Sequence, residues 1–191
     1  MLEKASKAAT EIFSPFVLSG LLLAIIAIAT DPTWVVPVAL SLLFIVAIPL
    51  ALSLWMHRTG RVGDRFIQDR AQRTPFYAGT LLSFAAGALA LNFVDTSSQV
   101  PLALNLSVAM LLVVALVNLK IKASMHALVA ALFALVFPLY TPLPTLGYAV
   151  GAGVWASTVY SRYYLRKHTV PELALGTLFG VALAAVFLGL R

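Results

Sequence analysis

The sequence predicts an all-α fold: a polytopic membrane helix bundle, one integral domain over residues 1–191 with about six or seven transmembrane helices. Three observations predict it. Hydrophobic residues make up 61% of the chain against 10% charged. A mean hydropathy of +0.97 exceeds what a water-soluble core requires, so the surface itself must be apolar. Several apolar runs approach the roughly 20 residues that cross a hydrocarbon layer about 30 Å thick. In lipid every backbone polar group needs an internal partner, and that selects helices.

Residues 1–11, MLEKASKAATE, read as an amphipathic segment lying at the interface. Apolar spans follow it rather than a soluble domain, so no cleaved leader is expected. Apolar runs bounded by charge, Pro or Gly then give helices at 12–30, 34–56, 76–94, 101–119, 125–140, 145–164 and 171–190. Pro32, Pro101 and Pro144 stand at or near starts, where a missing N–H is harmless. Pro49 and Pro138 fall inside runs and predict a kink or an end. Small residues at 147–157 and 84–90 permit close helix contacts. Residues 57–75 form the one long polar connection.

Alternation of spans brings three polar segments, HRTGRVGDRFIQDRAQRTP, KIKASMH and SRYYLRKHTVPE, to one face. Of thirteen Lys and Arg, all but Arg191 fall there. Setting aside Arg70, Arg73, Lys122 and Arg162 as site cations still leaves Lys4, Lys7, Arg58, Arg61, Arg65, Lys120, Arg166 and Lys167 against Arg191. The positive-inside rule makes that face cytoplasmic. The net charge of +6 therefore reports topology first, and no nucleic-acid partner is expected. With no cysteine, disulfides and thiolate chemistry are excluded.

The same face carries a set of groups suited to phosphate chemistry. His168 and Glu172 are four apart, so on a helix the carboxylate reaches the far ring nitrogen and leaves the near one as a nucleophile. Glu172 also completes a capping box with Thr169; the two roles are compatible. Ser124 is a candidate N-cap whose helix N-terminus favours an anion, with Lys122 and His126 beside it. Arg70 and Arg73 precede a helix start and have forked donors for phosphoryl oxygens. Arg166 and Lys167 read as interfacial anchors, and Tyr160, Tyr163 and Tyr164 as an aromatic belt.

These segments resemble the motifs of the type 2 phosphatidic acid phosphatase superfamily. SRYYLRKHTVPE, residues 161–172, is similar to the third motif (Ser-Arg, five residues, His, three residues, Asp) through Ser161, Arg162 and His168, with Glu172 in place of the aspartate. Residues 120–126 are similar to the second, Pro-Ser-Gly-His, through Ser124 and His126, with Ala123 and Met125 departing from it. Residues 57–75 carry the end of the first, with Arg73 as its arginine; the position of its lysine holds Phe66, and Lys122, Arg70 or Arg65 is left to supply that charge.

The resemblance implies a membrane hydrolase, a small bacterial-type lipid phosphate phosphatase needing no cofactor and no metal. Its site would lie at helix ends on one membrane face. His168 would attack phosphorus, Glu172 would orient it and His126 would protonate the leaving oxygen. Arg162, Arg73, Lys122, Ser124 and Arg70 would hold the phosphate. The substrate would be a polyprenyl-linked or glycerolipid phosphate, met among membrane lipids in a prokaryotic plasma (inner) membrane. Two other functions fit parts of the pattern. A magnesium-dependent prenyl or CDP-alcohol transferase needs converging aspartates, for which this face offers mainly Asp64 and Asp69. A non-catalytic protein could use the cationic face to bind anionic lipid.

Overall fold

The structure, a computed structural model, describes residues 1–64, 66–67 and 69–191. Its regular structure among these residues is helical. The elements are α1 (Leu2–Ile12), α2 (Pro15–Thr30), α3 (Val35–Arg58), α4 (Arg73–Leu91), α5 (Gln99–Asn118), α6 (Met125–Tyr140), α7 (Pro144–Tyr164) and α8 (Val170–Leu190). Four of them, α3, α4, α5 and α8, are long and apolar enough to cross a membrane. A fifth span is added if α1 and α2, bent by 45°, count as one.

Helices stand where the apolar runs place them, with three differences. The N-terminal segment is itself helical from Leu2 and breaks at Phe13, where Ser14 caps α2 by accepting from the Val17 N–H. The run expected at 76–94 stops at Leu91 and starts earlier, at Arg73, because Pro75 sits in the first turn, where it is tolerated. Pro49 is accommodated without a break: residues Leu42–Ala47 widen into a π-helical stretch just before it, which makes room for a ring that has no N–H to offer. The Phe44 carbonyl in that stretch accepts instead from Ser83 Oγ at 2.6 Å on α4. Pro138 lies in a 3₁₀ turn, Phe137–Tyr140, that ends α6.

α6 is the central element. It is apolar on nearly every side, and His126 to Ala131 are all buried, as expected of a helix surrounded by others. It packs most closely on α8 and α7. A Cβ at Gly176 or Gly180 would lie 2.3 Å from the Ser124 carbonyl oxygen and 2.2 Å from that of Leu128, so α8 lies against the backbone of α6. α4 leans on α3 and α5 instead. The surface is apolar, with Leu82, Leu89, Leu116 and Leu178 exposed.

The chain alternates between two ends. At one, Asp31 after α2 accepts from Thr96 Oγ1 at 2.6 Å and from the Ser97 N–H at 2.9 Å, and Tyr140 bonds Gln99. At the other, the three polar segments meet.

Candidate functional site

The site grows from the end of α7. Arg166 adopts a left-handed conformation, φ +53°, and turns the chain back over the last helical turn. The Lys167 and His168 N–H groups both donate to the Arg162 carbonyl, at 3.0 and 3.4 Å. That conformation costs an L-residue about 1–2 kcal/mol, and here it brings His168 over Arg162. Thr169 then caps α8 in a capping box with Glu172.

Glu172 makes both contacts foreseen for it, but it meets the near ring nitrogen of His168 rather than the far one, because the turn at Arg166 sets the ring beside the capping carboxylate. Its Oε2 accepts from the Thr169 N–H at 3.0 Å and lies 3.1 Å from His168 Nδ1. A carboxylate only accepts, so Nδ1 carries the proton and Nε2 keeps a free lone pair. The His168 side chain is 1% exposed. Burial, with the cations Arg162, Lys122 and Arg73 nearby, pushes its pKa from 6.5 down to about 2, so the ring is neutral at neutral pH.

Arg162 is 1% exposed and Arg73 4%, which is costly for a charge unless it is compensated. Arg73 is partly satisfied: Nε donates to the Ile67 carbonyl at 2.8 Å and Nη1 to that of Ala123 at 3.1 Å. Ile67 holds its carbonyl there at φ +44°, an outlier for a β-branched residue. Arg162 Nε and His126 Nε2 are buried with no protein partner. Both residues, with Arg73 and His168, line one end of a cavity that runs between the helices. The Thr10 carbonyl at the end of α1 lies beside the His126 ring.

Lys122 and Ser124 stand just outside the cavity wall. Lys122 Nζ is 3.8 Å from Glu172 Oε2 and donates to the Lys167 carbonyl at 3.2 Å; burial lowers its pKa despite the opposing charge of Glu172. Ser124 caps α6, accepting from the Ala127 N–H at 3.3 Å, while its own N–H donates to the Glu172 carbonyl at 3.1 Å. It therefore ties α6 to α8 beside the site rather than facing the cavity. Arg70 is not brought into the cluster. Its guanidinium donates to the carbonyls of Asn118 and Leu119 at the end of α5, since it precedes the first turn of α4 while Arg73 begins it. Arg65 lies outside the described residues.

No protein-family model, curated protein or solved structure matches the chain. The reading of the site therefore rests on its own geometry.

Three contributors escape sequence reasoning. Phe66 packs edge-on against His126, ring centroids 4.9 Å apart, and the Arg162 guanidinium lies 5.9 Å from its ring centre. Asp64 anchors the loop by accepting from Lys167 at 3.1 Å. Burial opposes its charge, but the Phe66 N–H and Lys167 outweigh that and hold its pKa below the ordinary value. The third is the Thr10 carbonyl. Only Phe66 left a signal in the sequence: it fills the place of the missing first-motif lysine, seven residues before Arg73.

Proposed function

We propose that the chain is a membrane-embedded lipid phosphate phosphatase of the type 2 phosphatidic acid phosphatase kind, working without a metal through a phosphohistidine. The observation that carries this reading is the grouping, at one end of an apolar cavity, of a neutral His168 hydrogen-bonded to Glu172 with two buried nitrogens that have no protein partner, Arg162 Nε and His126 Nε2. Buried unpaired polar atoms are costly, and a phosphoryl group with its leaving oxygen would satisfy them.

In the proposed reaction His168 Nε2 attacks phosphorus and the bond to the leaving oxygen breaks. His126 gives that oxygen its proton. Arg162 and Arg73 stabilise the equatorial oxygens. Water, losing a proton to His126, then attacks the phosphohistidine, frees inorganic phosphate and restores His168. Lys122 adds positive charge beside Glu172, and Ser124 fixes the helix that carries His126. The substrate phosphate stays at the water boundary while its chain lies among the helices.

The wider reading is a bundle of about six or seven spans in a prokaryotic inner membrane with the site facing the cytoplasm. The bias of Lys and Arg toward that end supports it. In intact cells, a maleimide that does not cross membranes should label Ser98→Cys and spare Thr59→Cys, since the two positions lie at opposite ends. The reverse pattern places the site outside.

The test of function is phosphate release by purified protein from a panel of lipid phosphates in EDTA. His168→Ala and Arg162→Ala should each abolish it while the protein remains folded in the membrane. Normal turnover by both variants overturns the assignment; transfer that a chelator stops points to the metal-dependent transferase.

A further inference from the structure

We infer that the cavity beneath the cations is a measuring slot for one apolar chain, and that Phe187 and Val136 set the chain length it accepts. The inference rests on the phosphatase reading for the phosphate and goes beyond it by specifying the tail.

The slot is continuous with the site: the cavity that exposes Arg162, His126, His168 and Arg73 extends past them to Val136 and Phe187. α6 lines it from His126 to Val136, a depth of about 15 Å at 1.5 Å per residue. α4 faces it from Arg73 to Phe84, a similar depth. One leaflet of a hydrocarbon core about 30 Å thick is also about 15 Å deep, so the slot matches one lipid chain of ordinary length.

Its lining is apolar apart from the site cluster, Tyr77 and the hydroxyls of Ser19, Thr80 and Ser107, and Ser107 already donates to the Ala103 carbonyl. A volume of about 160 Å³ leaves no room for two chains side by side. The far end is lined by buried side chains: Val136 is 1% exposed and Phe187 3%, and at the same end of the bundle Tyr140 bonds Gln99 while the Arg191 guanidinium lies 5.7 Å from the Tyr140 ring centre. A chain longer than the slot must bend back or displace these residues, and in an apolar pocket a misfit of one methylene is worth roughly tenfold or more.

The experiment compares wild type, Phe187→Ala and Ala103→Phe, the last narrowing the far end from α5. The full chain in detergent is given linear alkyl monophosphates of increasing length, and phosphate release and protection against thermal unfolding are both measured. In the wild type kcat/KM should rise with length to an optimum and then fall about tenfold or more. Phe187→Ala should move the optimum to longer chains and Ala103→Phe to shorter ones, with protection following the same order. Release with the same length profile in all three proteins overturns the slot and leaves the phosphatase standing, as does two-chain phosphatidate turned over as fast as the best single-chain substrate. Length-dependent protection without release from any compound supports the slot and overturns the phosphatase. Neither release nor protection overturns both.

Discussion

At the scale of single residues, Glu172 does two things that a substitution can separate. Gln fills the same capping-box position, so Glu172→Gln should keep the start of α8 and the thermal unfolding temperature close to wild type. It removes the charge that His168 Nδ1 faces at 3.1 Å, so phosphate release should fall by about 100-fold or more. Unchanged turnover in a well-folded variant would reduce Glu172 to a cap. The i,i+4 spacing made this pair legible, because it follows from helix geometry alone. Phe66 and Ile67 were not legible in the same way. Their places depend on a loop with a left-handed residue, and no periodicity announces such a turn. Arg70 and Arg73 look alike for a related reason: where α4 begins decides which of them turns inward, and the apolar run marks that start only from residue 76, whereas the helix begins at Arg73.

At the scale of elements, α8 meets α6 backbone to backbone at Gly176 and Gly180. No side chain fits at Gly180 without separating the helices, since the Leu128 carbonyl is fixed by α6 itself. Gly180→Val should therefore destabilise the protein by about 3 kcal/mol or more, seen as a lower unfolding temperature in detergent. Activity should fall with it, because the Ser124 to Glu172 backbone bond is made at the end of the same interface. A neutral Gly180→Val would mean that the two helices tolerate a wider gap. The positions of the helices were legible because apolar runs and prolines mark them. Which helix lies at the centre was not: the small-residue stretches at 84–90 and 147–157 drew notice, whereas the pair that seats α8 on α6 lies outside both.

At the scale of the whole molecule, two polar ends hold an apolar middle. Asp31 at the end away from the site gathers the Thr96 and Thr33 hydroxyls and the Ser97 N–H, and these bonds, in that order of strength, hold its carboxyl well below its ordinary 3.8. A folded pKa below the unfolded one gives stability that is fully present above about 3.8 and is lost as pH falls through the range beneath it. Unfolding temperature should accordingly drop on acidification below pH 3.8, and Asp31→Asn should lie lower at neutral pH and show a smaller drop. Equal acid sensitivity in both proteins would remove Asp31 from that role. The grouping of polar segments at one end was legible from span alternation. The contact between α1 and the site was not, because a helix read as lying flat at the interface gives no sign that its backbone reaches inward.

That contact changes how the protein must be handled. The Thr10 carbonyl lies beside the ring of His126, and α1 packs along α7 with Ser6 and Thr10 buried. The first dozen residues, the ones most readily traded for a purification tag, thus pack against the candidate site. If the proposed function holds, an affinity handle fused there, or deletion of these residues, would be recorded in an assay as a weak enzyme when the fault lay in the engineering.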